Sequence, residues 1–163
     1  MRRYAGLLVL AACTDAEPGE TGDGAGADDC APGPDRTLVI GTGEAAFAPV
    51  TDQVELVHGP QGGYHVYVGF DATQLDTSGF ALGRIEGTIG GETIAITQPY
   101  LDFRCNPATG TLQTWGTILI YPLTPEELDG QETVITASIT DIAENVVTAT
   151  LTTTIEDPTL ETP

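Results

Sequence analysis

The sequence predicts an all-β fold, an antiparallel β-sandwich of about seven to nine strands that follows a signal peptide and a disordered linker. Short β-branched runs alternate apolar and polar residues with a period of two, turn residues separate these runs, and helix signals are nearly absent. A small barrel is the alternative architecture that the same pattern allows. The length of 163 residues suits one domain with tails.

The N-terminus predicts an export signal over residues 1–12. Arg2 and Arg3 precede an apolar run at residues 5–12, which is shorter than the roughly 20 residues of a membrane-spanning helix. The following sequence, Leu-Ala-Ala-Cys13, resembles the bacterial lipobox. This resemblance implies that the signal is removed and that Cys13 carries lipid. The residue after it, Thr14, favours anchoring to the outer membrane, on its periplasmic or cell-surface face.

Residues 13–35 predict the lipidated cysteine and a disordered tether. The segment is rich in Asp, Glu, Gly and Pro, and Ala and Cys30 are its only apolar residues. Such a segment buries too little surface to offset its ordering entropy, and its charges repel one another. From Arg36 the composition changes abruptly, so residues 36–157 predict the folded domain and residues 158–163 a flexible tail.

The predicted strands follow in order. They cover residues 37–41, 53–57, 64–72, 84–89, 93–97, 111–121, 133–140 and 146–155. Val66, Val68, Phe70 and Ala72 share one face of the third strand, and Gly90-Gly91 predicts a hairpin between the next two. In the last strand apolar residues alternate with a row of threonines, which is typical of a sheet with one wet face. Residues 124–130 predict a single helical turn.

Residues 130–155 resemble the last two strands of bacterial immunoglobulin-like and fibronectin-type domains. Those domains often place an Asp-x-Ala-Gly-Asn turn between the strands, and here the turn is Asp141-Ile-Ala-Glu144-Asn145. The resemblance implies an immunoglobulin-like sandwich, with Trp115 as a candidate core residue. Glu144 replaces the usual glycine, so either the turn differs or Asn145 takes the left-handed conformation.

The three cysteines divide into a candidate lipid site and a candidate pair. If Cys13 carries lipid, Cys30 and Cys105 remain as an even pair in an oxidising compartment. We predict a disulfide between them, and the alternative is two unpaired thiols. The bond would pin the end of the tether to the loop at residues 103–110.

The most distinctive segment is His58-Gly-Pro-Gln-Gly-Gly-Tyr-His65, which predicts a glycine-rich hairpin turn. Such a turn offers a contact surface whose candidate residues are His58, Gln61, Tyr64, His65 and Tyr67. An alternative hypothesis brings His58 and His65 together as a zinc or copper site, completed by Asp71 or Glu55. A second alternative is a calcium site of hard oxygen ligands at Asp141, Glu144 and Asn145, with Asp71 or Asp76 nearby.

The same segment resembles predicted lipoproteins of myxobacteria and related high-GC bacteria. They carry a Gly-Pro-Gln-Gly-Gly-aromatic-His run after a Gly-Thr-Gly-Glu and a Phe-x-Pro stretch, here residues 41–44 and 47–49. This group has no assigned activity. The resemblance therefore implies an origin and a location rather than a chemistry.

Charge and composition exclude several functions. The chain has 24 acidic and 5 basic residues, a net charge of −19, which disfavours nucleic acid and anionic lipid surfaces. Its two serines, Ser78 and Ser138, lie outside any nucleophile elbow, so we expect no enzyme and no cofactor. The sequence predicts a binding or structural module of the envelope. Its expected partners are the membrane, through the lipid anchor, and an envelope protein or glycan, and the alternative is a small metal-binding protein.

Overall fold

The computed structural model of the chain describes residues 30–60 and 62–160. Within them lie one helical turn, α1 (Pro125–Leu128), and twelve strands. The strands are β1 (Thr37–Thr42), β2 (Ala48–Pro49), β3 (Gln53–Glu55), β4 (Val57–His58), β5 (Tyr64–Thr73), β6 (Ala81–Ile89), β7 (Glu92–Thr97), β8 (Tyr100–Leu101), β9 (Arg104–Asn106), β10 (Thr111–Tyr121), β11 (Glu132–Thr140) and β12 (Val146–Glu156). The all-β class is confirmed. The predicted signal peptide, Cys13, the tether up to residue 29, Gln61 and residues 161–163 lie outside the described residues.

The strands form two sheets. The first sheet has the order β2-β1-β5-β10-β9, with β4 also paired to β5. The second sheet has the order β3-β12-β11-β6-β7, with β8 also paired to β6. Among these pairings only that of β3 with β12 is parallel. Two mainly antiparallel sheets around one core make the fold a β-sandwich rather than a barrel.

The core lies between the facing sides of the two sheets. Alternation along each strand places the same faces inward that the sequence predicts: Val66, Val68, Phe70 and Ala72 on β5, and Ile135, Ala137 and Ile139 on β11, all buried. Each fully buried side chain of this size contributes about 2 kcal/mol of transfer free energy. The threonines of β12 at positions 148, 150, 152 and 154 form the outer row, as predicted.

The predicted strand at residues 53–57 is in fact divided between the sheets, which is a correction. Gln53–Glu55 pairs with β12 in the second sheet, and Val57–His58 pairs with β5 in the first. Between them Leu56 is buried, and its amide donates to the carbonyl oxygen of Glu156 at 2.8 Å. Alternation holds only from Gln53 to Leu56 and breaks where Leu56 and Val57 follow each other, a break that also fits the end of a single strand.

Residues 30–35, which the sequence assigns to the tether, are held against the sandwich in the structure. Cys30 is buried and forms the predicted disulfide with Cys105, with 5.8 Å between the two Cα atoms. Gln74 then holds the next residues: its carbonyl oxygen accepts from the Gly33 amide at 3.0 Å, and its Oε1 accepts from the Asp35 amide at 2.8 Å. Composition indicated a tether here because these anchoring contacts come from distant residues. No helix in the described part of the chain is long and apolar enough to cross a membrane.

The turn between β11 and β12 resolves one open alternative. Glu144, not Asn145, takes the left-handed conformation, with a φ of 64°. The Asp141 amide donates to the Asn145 carbonyl oxygen at 2.9 Å, which closes the turn. Glu144 therefore occupies the backbone position that glycine fills in the domains that this segment resembles.

Replacing Glu144 with glycine should stabilise the protein. A side chain in the left-handed region costs roughly 1–2 kcal/mol, part of which is offset by the greater freedom of glycine in the unfolded chain. We therefore expect Glu144→Gly to raise the free energy of unfolding by about 0.5–1 kcal/mol in urea denaturation. Glu144→Ala removes the same charge but keeps Cβ, so an equal gain in that variant would show that charge, not backbone strain, is responsible.

Candidate functional site

The two histidines of the predicted hairpin do not share a site. The turn forms as expected, with Gly62 at a φ of 81° and its amide donating to the Gly59 carbonyl oxygen at 3.0 Å. However, the strand register pairs His58 with Tyr64 and Val57 with His65. Because successive side chains point to opposite faces, His58 and His65 lie on opposite sides of the hairpin. The prediction that the hairpin brings them together is wrong.

His58 belongs to a structural contact with the end of β12. Its Nε2 lies 2.7 Å from Oδ2 of Asp157, which is buried. The other carboxylate oxygen of Asp157 accepts from the amide and the hydroxyl of Thr159, at 2.8 and 2.7 Å. Burial alone would raise the pKa of Asp157, but these hydrogen bonds and the contact with His58 lower it. The arrangement ties strand β4 to the C-terminal end of the domain.

His65 lies instead on the outer face of the first sheet, yet it is only 8% exposed. Its ring meets that of Tyr67 edge-on, with 5.1 Å between the centroids, and Val57 and Ile120 are its cross-strand neighbours. Burial lowers the pKa of His65, although the charge of Glu44 opposes this shift. Partial burial and the Glu44 carboxylate raise the pKa of Tyr67. Neutral forms of both side chains are therefore favoured.

The lowered pKa of His65 makes stability depend on pH. Below its ordinary pKa of 6.5 the unfolded chain takes up a proton that the folded chain resists, so stability falls as pH falls. We expect the wild type to lose more stability than His65→Leu between pH 7 and pH 5.5, measured by urea denaturation at both values. Equal losses in the two proteins would contradict this assignment.

Two other predicted contact residues, Tyr64 and Tyr67, are only partly exposed. Tyr64 packs against the core, and its ring meets that of His58 at a centroid distance of 5.1 Å. Tyr67 is half-buried, and Gln61 lies outside the described residues. The hairpin therefore presents less of its aromatic surface than the sequence suggests.

The carboxylate of Asp141 accepts hydrogen bonds from amides on both of its oxygens. Its Oδ1 accepts from the amide of Asn145 at 2.8 Å, and the side-chain amide of Asn145 lies 3.1 Å from both carboxylate oxygens. Its Oδ2 accepts from the Asp76 amide at 3.1 Å. Nitrogen, not the side-chain oxygen of Asn145, thus faces the carboxylate, contrary to the calcium hypothesis. In residues 30–60 and 62–160 no three His, Cys, Asp or Glu side chains are grouped as metal ligands.

A groove of about 500 Å³ lies beside β10, and the sequence analysis did not predict it. One wall is the chain that passes from β7 through β8 to β9, and the other is the middle of β10. The residues that matter here are Tyr100, Asp102, Arg104, Trp115, Thr117 and Ile118. Below, "the groove" means this surface.

A β-bulge places Trp115 in the groove. The β10–β5 register shifts between Thr114 and Thr117, and Gly116 has a φ of 74° with its amide donating to the Gly43 carbonyl oxygen at 2.9 Å. The expectation of a core tryptophan is wrong: Leu112 and Thr114 are the buried residues before the bulge, so Trp115 lies on the opposite face, and after the bulge Leu119 and Tyr121 return to the core. A glycine inside a strand pattern was the available signal, since it often marks a bulge.

Exposed aromatic and polar groups surround Trp115. The Arg104 guanidinium carbon lies 6.0 Å from the centroid of the Trp115 ring. Arg104 also donates to Oδ2 of Asp102, at 3.3 and 3.4 Å, so the two charges pair. Tyr100 is 79% exposed. Aromatic faces beside neutralised polar groups can hold a ligand by stacking and hydrogen bonding.

No protein-family model matches this chain, and no curated protein matches it in sequence.

Proposed function

We propose that this chain is an exported, lipid-anchored protein of the bacterial envelope whose β-sandwich binds a partner through the groove. The observation that carries the binding role is the groove itself, where Tyr100 and Trp115 lie beside the paired Arg104 and Asp102. Large exposed aromatic residues and arginine are typical of interfaces. We place the anchor at Cys13 and the protein at the outer membrane.

The disulfide supports export. Bonds such as Cys30–Cys105 persist in oxidising compartments and are rare where glutathione keeps thiols reduced. Once these two cysteines pair, Cys13 is the remaining cysteine of three. That leaves its thiol free for the acylation that the lipobox resemblance implies.

We further propose the immunoglobulin-like subtype of sandwich. Its support is the parallel pairing of the early strand β3 with the last strand β12, together with the antiparallel order β12-β11-β6-β7. Through this pairing, β3 from the N-terminal half of the domain lies beside β12, the last strand in the sequence. This subtype describes architecture and does not identify a ligand.

The anchor is tested by expressing the full chain in a diderm bacterium with radiolabelled palmitate. The wild type should incorporate label and partition with membranes, and its N-terminal peptide should carry acyl chains on Cys13 by mass spectrometry. Cys13→Ser should lose label and leave the membrane fraction. A free thiol at Cys13 in the mature wild type would contradict the anchor.

The groove is tested by site-specific photo-crosslinking in intact envelopes. A benzoylphenylalanine at Tyr100 should give discrete adducts, because that side chain is 79% exposed at the groove. The matched control is the same probe at Val146, which is 60% exposed on β12 and does not line the groove. Identical adduct patterns at the two positions, or none at Tyr100, would remove the support for a binding role of the groove.

A further inference from the structure

We propose that the groove binds an uncharged oligosaccharide, an inference that rests on the proposed binding role of the groove. Its walls combine two aromatic side chains, threonine hydroxyls and one neutralised ion pair. A sugar ring offers the complementary surfaces, namely an apolar face of C–H groups and a rim of hydroxyls.

The charge of the protein selects against anionic ligands. The chain carries a net charge of −19, so its field repels phosphorylated or carboxylated ligands. Arg104, the one base in the groove wall, already donates to Asp102 at 3.3 and 3.4 Å. The same contact balances the charge of Asp102, so the groove holds no net charge for a cation either. A neutral ligand suits this surface.

Stacking supplies the apolar part of the contact. Trp115 lines the groove, and Tyr100 is 79% exposed beside it. The negative face of an aromatic ring attracts the weakly positive C–H groups of an apolar partner, as it attracts aromatic edges. Tyr100 is the more open of the two rings, since Trp115 is half-buried and the Arg104 guanidinium lies over its ring at 6.0 Å.

Hydrogen bonding supplies orientation. The hydroxyls of Thr97 and Thr117 line the groove with the Asp102–Arg104 pair. Arg104 donates only to Oδ2 of Asp102, so Oδ1 and the remaining guanidinium N–H groups are available to accept from and donate to the hydroxyls of a sugar. A small number of such groups within an apolar lining is the usual composition of a ligand site.

The wall on β10 fits a sugar better than an added peptide strand. Strand addition needs a regular row of unpaired amides and carbonyls. Here the bulge between Thr114 and Thr117 interrupts that row, and the Gly116 amide already donates to Gly43. A side-chain platform remains where a strand edge would otherwise be.

The site is held rigidly before any ligand arrives. The disulfide at Cys105 fixes the residue next to Arg104, and β9 pairs with β10 from Arg104 to Asn106. The Gly116–Gly43 hydrogen bond fixes the bulge that carries Trp115. Preorganisation reduces the ordering entropy that binding would otherwise cost, which matters for a shallow and open groove.

The test uses the only tryptophan of the chain as the reporter. The disulfide-bonded domain is first applied to a glycan array of several hundred plant, bacterial and animal oligosaccharides. Uncharged glycans that bind are then titrated in solution while Trp115 emission is followed. We expect a saturable change in emission with dissociation constants on the order of 0.1–1 mM. Affinity should change less than twofold between 50 and 500 mM salt, because no net charge is paired.

The variants separate stacking from folding. Tyr100→Ala should weaken binding at least tenfold, because it removes the ring on which the sugar stacks. We expect it to spare the fold, because the Tyr100 side chain is 79% exposed. Val146→Ala, at a site 60% exposed on β12, should bind as the wild type does. Tyr100→Phe keeps the ring and should retain most of the affinity.

Several results would overturn the inference. It fails if no glycan on the array binds above the level of Tyr100→Ala, or if only charged glycans bind with strong salt dependence. It also fails if sugars bind without changing Trp115 emission. Protein adducts at Tyr100 in the crosslinking experiment, without any glycan binding, would retain the proposed function and reject the sugar. Absence of both would reject both.

Discussion

Replacing Cys30 and Cys105 together with alanine is expected to lower the free energy of unfolding by about 4 kcal/mol. The bond joins residues separated by 75 positions, and closing so long a loop removes much conformational entropy from the unfolded chain. The separation of 5.8 Å between the Cα atoms lies in the range that a disulfide prefers. Urea denaturation of the double variant and the oxidised wild type measures the difference.

Reduction of the wild type is the matched control for this variant. It breaks the same cross-link without altering any side-chain volume, so it should cause nearly the same loss of stability. Reduction should also speed hydrogen exchange at the Gly33 amide, because the segment that donates to Gln74 loses its anchor at Cys30. A loss below about 1 kcal/mol would mean that the unfolded chain is already compact without the bond.

Faces and element types could be predicted from this sequence. Alternation assigns Val66, Val68 and Phe70 to the core because side chains along a strand change sides at every residue. The Gly90-Gly91 hairpin follows from local backbone preference, and both glycines have a positive φ, of 60° and 85°. These features depend on neighbours in sequence, so a single chain reveals them.

Register and the crossing between sheets could not be predicted in the same way. One residue of register decides whether His58 faces His65 or Tyr64, and the glycine-rich turn does not fix that choice from sequence alone. At the crossing two apolar residues, Leu56 and Val57, follow each other, and such a break marks the end of a strand as readily as a change of sheet.

The groove was missed for a related reason. Its two walls come from residues 97–104 and 114–118, which approach each other only because the chain passes from the second sheet to the first. Trp115 looked like a core residue because it lies centrally in a long β-prone run. The bulge at Gly116 overrides that pattern, and the sequence offered only the glycine as a sign of it.

Asp141→Ala is expected to lower the free energy of unfolding by about 3 kcal/mol. The carboxylate is buried, accepts from the amides of Asn145 and Asp76, and lies 3.7 Å from Nε of Arg36. Alanine leaves these buried donors without an acceptor, and the cost of unsatisfied polar groups exceeds the worth of the bonds themselves. Urea denaturation at pH 7 measures the loss.

Asp52→Ala provides the comparison that makes this result specific, because it removes the same charge from an exposed residue. The change in the free energy of unfolding that Asp52→Ala causes should stay within about 0.5 kcal/mol.

Burial alone would raise the pKa of Asp141, but hydrogen bonds from Asp76, Asn145 and Ala143 lower it below 3.8. The stabilisation is therefore present above that pH and lost as pH falls through the folded pKa, so the wild type and Asp141→Ala should converge in stability in strong acid. A constant difference down to pH 2, or equal losses in Asp141→Ala and Asp52→Ala at pH 7, would show that packing rather than the carboxylate closes this turn.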